Sequence, residues 1–265
     1  IVDEVGKNVK KFKKGDKVYS RINESHVGTM AEYVVSNVKD TALMPSNLSF
    51  DESASIPLVG LTTYQVLVDI AKLSKGEKIL IHAGSGGIGT FAIQLAKNLG
   101  AHVTTTTSTK NISFVRDLGA DKVIDYTSEN YLDEGAVFDV VYDTLGGNYT
   151  LDSFKVLKDG GRVVSIKGTV DNITAQQLGL NKFVQMILAF QGRKVFKTAS
   201  KMNAMYRFFL MSPNGDQLKK IAKMYESGAI KPIIDKTYKF AEAIQALEYL
   251  SKGHARGKVI VKIRE

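Results

Sequence analysis

The chain has 265 residues, of which 44% are hydrophobic and 24% are charged, and this composition is typical of a globular protein with a sizeable core. It contains no cysteine, which excludes disulfides and thiolate metal ligands. No apolar run is long enough for a membrane-spanning helix, so we expect no membrane partner.

The net charge of +9 is compatible with nucleic-acid binding or with a basic surface that attracts a small anionic ligand. The densest basic run is KNVKKFKKGDK, residues 7–17, and no nucleic-acid-binding motif accompanies it. We therefore expect no nucleic-acid partner. The chain begins at Ile1 rather than at a methionine, and no targeting signature follows, so we expect part of a longer, cytoplasmic polypeptide.

The first part of the chain mixes short strands and helices. The segments DKVYSR and MAEYVVS are rich in alternating or β-branched apolar residues, which predicts two strands. Ser49 and Glu52 have the spacing of a capping box, which predicts a helix start. The segment LTTYQVLVDIAKLSKGE then predicts a helix that ends near Gly76.

From Lys78 onward, short β-rich runs are mostly separated by segments of helical length. This alternation predicts parallel βαβ units in a doubly wound sheet. Two amphipathic helices, GDQLKKIAKMYESG and FAEAIQALEYLSKG, precede a final strand, GKVIVKI. The predicted strands of the sheet are KILIHA, AHVTT, KVID, FDVVYD and GRVVSIKG.

A glycine motif, Gly84-x-Gly86-x-x-Gly89, directly follows the first of these strands and opens a helix. In this context the glycines permit a tight turn, close approach of a pyrophosphate and close helix packing, while the helix N-terminus offers N–H donors to phosphate. The alternative is a glycine-rich turn that binds no ligand. The predicted pyrophosphate-binding residues are Gly84, Ser85, Gly86, Gly87, Ile88 and Gly89.

The end of the second strand is where a dinucleotide-binding site for NAD places an acidic residue. Here the sequence from residue 105 to 110 is TTTSTK, which offers hydroxyl groups and an ammonium group instead. A carboxylate would repel a 2′-phosphate, whereas these donors would hold it. The sequence thus favours NADP(H) over NAD(H), the alternative being a solvated polar turn.

Several motifs in order resemble those of the zinc-independent medium-chain dehydrogenases/reductases, in the branch of quinone oxidoreductases and enone reductases: GDKVYSR, AEYVV, GLTTYQ, HAGSGGIG, LGADKVIDY and GHARGKVIV. The resemblance implies an α/β fold in which a Rossmann domain, residues 58–231, is combined with a GroES-like β-rich catalytic domain, residues 1–57 and 232–265. The family's first several dozen residues have no counterpart here. The resemblance therefore leaves the proton donor and other catalytic residues unknown.

The resemblance also implies roles for residues around the cofactor, which would be NADPH. The 2′-phosphate would contact Thr107 and Ser108 together with Lys110, or Asn111 if the family's lysine aligns one residue later. Tyr126 would pack against the same phosphate, or it is only a strand-end tyrosine. Near the nicotinamide the resemblance places Thr63, Leu145, Gly146, Ile166 and Gly168. Thr63 would lie at a helix start, and the alternative is that it only caps the helix.

The zinc-dependent relatives show which ligands a zinc site in this family would need. Those proteins carry a cysteine ligand where this chain has Val59, and a four-cysteine lobe that is missing here. We therefore expect no metal site. The four histidines have no ligand spacing and are expected to be structural or on the surface: His26, His82, His102 and His254.

The resemblance implies hydride transfer from NADPH to a quinone or to an α,β-unsaturated ketone or aldehyde, so the expected substrate is a small apolar carbonyl compound or quinone. The alternatives are a zinc-free protein similar to alcohol dehydrogenases and a non-catalytic NADPH-binding protein. The apolar segment at residues 181–212 would line a substrate cleft, form a subunit contact or pack in the core. Within it, YRFFLMS is the strand expected at the edge of the Rossmann sheet, where we expect a homodimer to form.

Overall fold

A computed structural model of the chain describes residues 1–23 and 28–264. His26 lies outside the described residues. The chain divides into two compact units, one formed by residues 1–64, 86–91 and 211–265 and the other by residues 65–85 and 92–210.

The described residues form ten strands and ten α-helices, with a π-helical turn at Gln65–Ile70 after the second helix. The strands are β1 Val18–Ser20, β2 Thr41–Leu43, β3 Lys78–Ile81, β4 His102–Thr107, β5 Lys122–Asp125, β6 Phe138–Asp143, β7 Leu157–Ser165, β8 Met205–Phe208, β9 Ile234–Lys239 and β10 Lys258–Lys262. The helices are α1 Phe50–Ala54, α2 Pro57–Tyr64, α3 Gly87–Asn98, α4 Ile112–Asp117, α5 Asn148–Val156, α6 Asn172–Gln177, α7 Lys182–Gln191, α8 Arg193–Lys201, α9 Gly215–Glu226 and α10 Ala243–Ser251.

The second unit contains a six-stranded sheet in the order β5-β4-β3-β6-β7-β8, and every neighbouring pair in it is parallel. The sheet order reverses between β3 and β6. This is the doubly wound arrangement of dinucleotide-binding proteins, whose ligands bind outside the carboxyl ends of the strands at such a reversal. The predicted α/β fold with a Rossmann sheet is confirmed.

The core of this unit is built from strands whose side chains are buried on both faces. Leu80, Val141 and Val163, on three adjacent strands, are fully inaccessible to solvent. Continuous apolar runs of this kind are typical of parallel strands covered by helices on both sides. The core therefore fixes the positions at which β3, β4, β6 and β7 end.

The other unit contains two small sheets, an antiparallel pair of β1 and β2 and a parallel pair of β9 and β10. The predicted capping box is confirmed, since Ser49 accepts from the Glu52 amide and the Glu52 side chain accepts from the Ser49 amide. The Tyr19 hydroxyl donates to the Leu218 carbonyl at 2.6 Å, which ties β1 to α9.

Two predictions for this part of the chain are wrong. The segment MAEYVVS forms no strand, because β1 pairs with β2 and residues 30–36 have no strand neighbour among the described residues. A strand requires such a partner whatever its propensity. The helix predicted to end near Gly76 ends as an α-helix at Tyr64 and as a π-turn at Ile70, and Lys72 then adopts a positive φ of 49°.

The predicted domain boundaries follow Pro57 and Lys231, whereas the two units divide after Tyr64 and after Leu210. The assignment of residues 1–57 and 232–265 to a GroES-like domain stays a prediction. The segment at residues 181–212 forms α7, α8 and β8, and its side chains are divided between core and surface. No helix in the described ranges is long and apolar enough to cross a membrane.

Candidate dinucleotide-binding site

The glycine motif forms the turn between β3 and α3. The Gly84 amide donates to the Thr106 carbonyl at 2.9 Å, which fastens the turn to the end of β4. A Cβ atom at Gly84 would overlap the Thr105 hydroxyl oxygen. The first glycine is therefore required by close packing of the turn against β4, as the motif predicts.

The first turn of α3 lies beside Lys258, the first residue of β10. Gly86 pairs with Gly257, and a Cβ atom at Gly87 would lie 2.8 Å from Lys258 Cδ. Burial lowers the pKa of Lys258, because it penalises the ammonium form. An anion at this helix N-terminus would be stabilised by both the helix dipole and this ammonium group.

Three of the predicted hydroxyl donors at the end of β4 are used inside the fold. Thr105 donates to the Ile81 carbonyl at 2.7 Å, and Thr106 accepts from the Ala83 amide at 3.1 Å. Thr109 donates to Asp125 at 2.5 Å. These threonines stabilise the turn and the strand ends, Thr105 and Thr109 as donors and Thr106 as an acceptor.

The remaining polar groups form what we call the Ser85 cluster, which consists of Ser85, Thr107, Ser108 and Asn111. The Ser85 hydroxyl oxygen accepts from Thr107 at 3.0 Å and from the Asn111 amide at 3.1 Å, and the same amide reaches Ser108 at 3.3 Å. Because Ser85 accepts two hydrogen bonds, its own hydrogen is left to donate. The Asn111 side-chain oxygen is buried and has no hydrogen-bond partner among the described residues.

Lys110 and Tyr126 lie next to the Ser85 cluster. Lys110 is exposed in the 3-10 turn Thr109–Asn111, and the Tyr126 amide donates to the Thr107 carbonyl at 3.1 Å while its ring is 62% exposed. The nearest strand-end carboxylate, Asp125, is occupied: hydrogen bonds from Thr109 and then from Thr127 lower its pKa. The structure thus brings the predicted 2′-phosphate residues together.

A second polar group, which we call the Asp143 cluster, lies at the ends of β6 and β7. Asp143 is fully buried, and its carboxylate accepts from the Leu145 and Gly146 amides at 3.0 and 2.8 Å. The hydroxyl groups of Thr150 and Ser165 donate to its other oxygen at 2.5 and 2.7 Å. Four donors compensate the burial of this charge.

These bonds bring together the residues predicted to lie near the nicotinamide. Gly146 has a φ of 73°, and a Cβ atom there would overlap the Lys167 carbonyl oxygen. The Ile166 amide donates to the Asp143 carbonyl at 3.1 Å, and a Cβ atom at Gly168 would lie 2.7 Å from the Ser165 hydroxyl. The loops that contain Leu145 and Gly168 are therefore packed together and leave no room for larger residues at the two glycines.

His82 follows β3 and packs into an aromatic group. Its ring lies 4.8 Å from that of Tyr131 and 5.4 Å from that of Tyr149, both edge-on. Neither ring nitrogen has a hydrogen-bond partner among the described residues. Burial lowers the pKa of His82 to about 4, against the opposing effect of Asp143, so the imidazole is neutral and structural, as predicted.

Thr63 lies apart from the motifs above in sequence, and one prediction about it is wrong. It is the seventh residue of α2 rather than a residue at a helix start, because α2 begins at Pro57. Its hydroxyl is buried without a hydrogen-bond partner among the described residues. In residues 1–23 and 28–264, no three His, Cys, Asp or Glu residues are grouped as metal ligands, and the expected lack of zinc stays a prediction.

Sequence reasoning missed two features of the site. It treated Ser85 only as a residue of the glycine turn, although Ser85 links the turn to Thr107 and Asn111. It also assigned no role in the site to Asp143, the last residue of the predicted strand FDVVYD. The Asp-x-x-Gly spacing of Asp143 and Gly146 was the available signal, since aspartate at a turn start accepts from the amides that follow it.

The strand order and the glycine turn define a dinucleotide-binding protein of the Rossmann class. The sequence model of the zinc-binding dehydrogenase family matches residues 118–261. The chain belongs to the medium-chain dehydrogenase/reductase superfamily, in the branch that contains the quinone oxidoreductases and the alkenal/one reductases.

Two relatives and one solved structure illustrate this membership. The chain is 37% identical to the mitochondrial NAD(P)H oxidoreductase RTN4IP1 of Danio rerio, over 99% of this chain and 70% of the relative. It is 35% identical to the chloroplastic NADPH-dependent alkenal/one oxidoreductase of Arabidopsis thaliana, over 98% and 61%. The quinone oxidoreductase structure from Coxiella burnetii matches with a TM-score of 0.82 at 33% identity, over 98% of this chain and 76% of that one.

The chain thus spans about 61 to 70% of the length of the two curated relatives. Their names place them in mitochondria and in chloroplasts, respectively. The cytoplasmic location expected from the sequence stays a prediction.

Proposed function

We propose that the protein is an NADPH-dependent oxidoreductase that transfers hydride to a quinone or to an α,β-unsaturated ketone or aldehyde. The names of its relatives support this reaction: one acts as an NADPH-dependent alkenal/one oxidoreductase and another structure is that of a quinone oxidoreductase. The substrate would be a small apolar carbonyl compound or quinone. We propose no nucleic-acid partner.

The observation that carries the choice of NADPH is the set of donors at the end of β4. The Ser85 hydroxyl has a hydrogen left to donate, Ser108 is half-buried beside it, and Lys110 contributes a positive charge. Asp125, the carboxylate on the neighbouring strand end, is held by Thr109 and Thr127. A 2′-phosphate would find hydroxyl donors and an ammonium group here, while the Asp125 carboxylate is directed to the two threonines.

The described residues also fit the rest of the cofactor. The pyrophosphate would lie at the N-terminus of α3, where Lys258 packs against Gly87 and supplies a charge. The nicotinamide would contact the loops held by Asp143, near Leu145 and Ile166. NADPH supplies the hydride when bound, and the protein orients it and excludes water.

Cofactor affinity tests the proposal. Lys110→Ala should weaken NADPH binding about tenfold and leave NADH binding unchanged, because a charge-assisted contact to the 2′-phosphate is lost. The matched control is Lys122→Ala, since Lys122 is an exposed lysine at the opposite end of β5, paired with Glu134. Fluorescence titration with both nucleotides measures the two affinities.

Equal affinity of the unmodified chain for NADPH and NADH would contradict the cofactor assignment. A steady-state assay with NADPH and either a quinone or a short enone tests the reaction. Binding of NADPH without turnover of any such substrate would favour the non-catalytic alternative.

We also propose that two copies pair through β8. It is the terminal strand of the six-stranded sheet, so one of its edges has no strand neighbour among the described residues. Exposed strand edges are common sites of pairing between copies. Sedimentation equilibrium should give the mass of a dimer, and a monomer at micromolar concentration would contradict this proposal.

A further inference from the structure

Helix α7 is an apolar helix that does not contribute to the core. Seven of its ten residues are apolar, and none is buried. Phe183, Met186, Ile187 and Phe190 are 66%, 62%, 41% and 75% exposed. Their spacing of three, four and seven residues places them on one face of the helix. The face is therefore an unpartnered apolar surface.

Helices α7 and α8 meet at Gly192, which caps the end of α7 and the start of α8. Gly192 has φ −82° and ψ −1°; its amide donates to the Leu188 carbonyl at 2.9 Å, and its carbonyl accepts from the Phe196 amide at 3.0 Å. The start of α8 therefore follows the exposed end of α7 directly in the chain.

The exposed face of α8 is cationic. Arg193, Lys194 and Lys197 are exposed in its first turns. Val195 and Ala199 are buried and lie on the opposite side of α8. We call the combination of the two helix faces the α7–α8 surface; it consists of Phe183, Met186, Ile187, Phe190, Arg193, Lys194 and Lys197, with Lys182 and Lys201 at its ends.

No acidic residue neutralises this surface from nearby in the chain. Residues 172–215 include no aspartate or glutamate. The one arginine of that range with an ion pair is Arg207, which binds Asp171 at 2.8 Å. Within the described residues, no salt bridge involves Lys182, Arg193 or the lysines of α8.

Helix α10 offers a comparison, since it also exposes apolar side chains. Ile244 and Leu247 are 71% and 55% exposed, and Phe240, just before the helix, is 48% exposed. However, Glu242 and Glu248 lie beside them and are exposed. The apolar residues of α10 therefore lie among charges of both signs, since Lys239 and Lys252 are exposed as well, whereas the charges beside α7 are all basic.

We propose that the α7–α8 surface binds the anionic surface of a lipid bilayer. A helix that lies in the membrane interface combines large apolar side chains with lysine and arginine, and each basic residue near an anionic leaflet strengthens the attraction. A nucleic acid bound through its phosphates would leave the four apolar side chains exposed to water. A second copy placed on the same surface would bring two cationic clusters together, which costs energy.

This surface departs from the expectation, drawn from the sequence, that the protein has no membrane partner. That expectation depended on the lack of a spanning helix. Binding at the interface needs no spanning helix, and it does not depend on the reaction proposed above.

Vesicle flotation of the full chain tests the proposal. It should float with vesicles of phosphatidylcholine mixed with phosphatidylglycerol and remain unbound with phosphatidylcholine alone. Lys194→Glu combined with Lys197→Glu should reduce the bound fraction about tenfold. The control with equal net charge is Lys219→Glu combined with Lys220→Glu, two exposed lysines of α9, which should bind as before.

The apolar half of the surface is tested in the same assay. Phe183→Ser combined with Phe190→Ser should abolish flotation, whereas Ile244→Ser combined with Leu247→Ser should not change it. All four positions are exposed, and circular dichroism checks that each variant is folded.

Insertion is read out independently with a tryptophan, because the chain has none. The emission of Phe190→Trp should shift to the blue on addition of the anionic vesicles, whereas that of Phe240→Trp should stay constant. Equal binding to neutral and anionic vesicles, or no shift of the Phe190→Trp emission, would overturn the proposal. So would a change from dimer to monomer on Phe183→Ser with Phe190→Ser, since a second copy would then be the occupant.

Discussion

The Ser85 cluster and the Asp143 cluster lie at strand ends of the same sheet and use polar groups in opposite ways. In the Asp143 cluster a buried carboxylate accepts four hydrogen bonds, all from the protein itself. In the Ser85 cluster the Ser85 hydroxyl accepts two hydrogen bonds and keeps a hydrogen to donate, while the Asn111 side-chain oxygen has no partner among the described residues. The first cluster is satisfied by the fold, whereas the second has hydrogen-bonding capacity left over.

The comparison shows that a polar residue at a strand end is not evidence of binding until its partners are counted. Thr105 and Thr109 have the same chemistry as Ser108, yet the hydroxyl groups of both donate within the protein. Substitutions in the two clusters should therefore affect different properties: stability at Asp143 and affinity near Ser85.

The largest effect is expected at Asp143. Asp143→Ala leaves two buried amides and two buried hydroxyls without their acceptor, so the free energy of unfolding should fall by about 3 to 5 kcal/mol. The control is Asp139→Ala on the same strand, where a partly exposed carboxylate pairs with Lys158 and accepts from the Lys78 amide, and a smaller loss of about 1 to 2 kcal/mol is expected. Urea unfolding measures both, and equal losses would contradict a buried structural role for Asp143.

A pH-dependent loss of stability is expected from His82, which packs beside the Asp143 cluster. Its folded pKa of about 4 lies below the unfolded value of 6.5, so the unfolded chain binds a proton more readily between these values. Stability should therefore fall as the pH falls through this window, with a slope of up to about 1.4 kcal/mol per pH unit.

Substitution of His82 tests whether this residue causes the slope of the unfolding free energy against pH. His82→Phe keeps a ring between Tyr131 and Tyr149 and removes the titration, so it should flatten the dependence between pH 6.5 and 4. His102→Gln, at the exposed start of β4, is the control and should leave the slope intact. An unchanged slope in His82→Phe would assign the effect to other groups.

The smallest effect is expected at Ser108. Ser108→Ala should weaken NADPH binding about threefold without changing NADH binding or stability, since a half-exposed hydrogen bond competes with water. Ser128→Ala, on an exposed turn after β5, serves as the control. If Ser108→Ala lowered stability but left NADPH affinity unchanged, Ser108 would have a structural role like that of Thr105 and Thr109.

The sequence predicted those features whose signal is local. The glycine turn, the capping box at Ser49 and the alternation of strands and helices depend on neighbouring residues, and the structure confirms them. The strand in MAEYVVS was predicted wrongly because pairing is decided by residues far along the chain. Asp143 was missed although its Asp-x-x-Gly spacing is local; only the bond from Ser165, 22 residues later, lay beyond the reach of the sequence pattern.

Ser85 has a consequence for how nucleotides are told apart. Under the proposed NADPH assignment the Ser85 hydroxyl would donate to the 2′-phosphate, and the four residues of the Ser85 cluster include no carboxylate to repel the ribose of NADH. A preference that depends on added donors alone is graded, so we expect NADH to bind weakly and to compete with NADPH. The cofactor used in a cell would then follow the relative abundance of the two reduced nucleotides as well as the proposed preference.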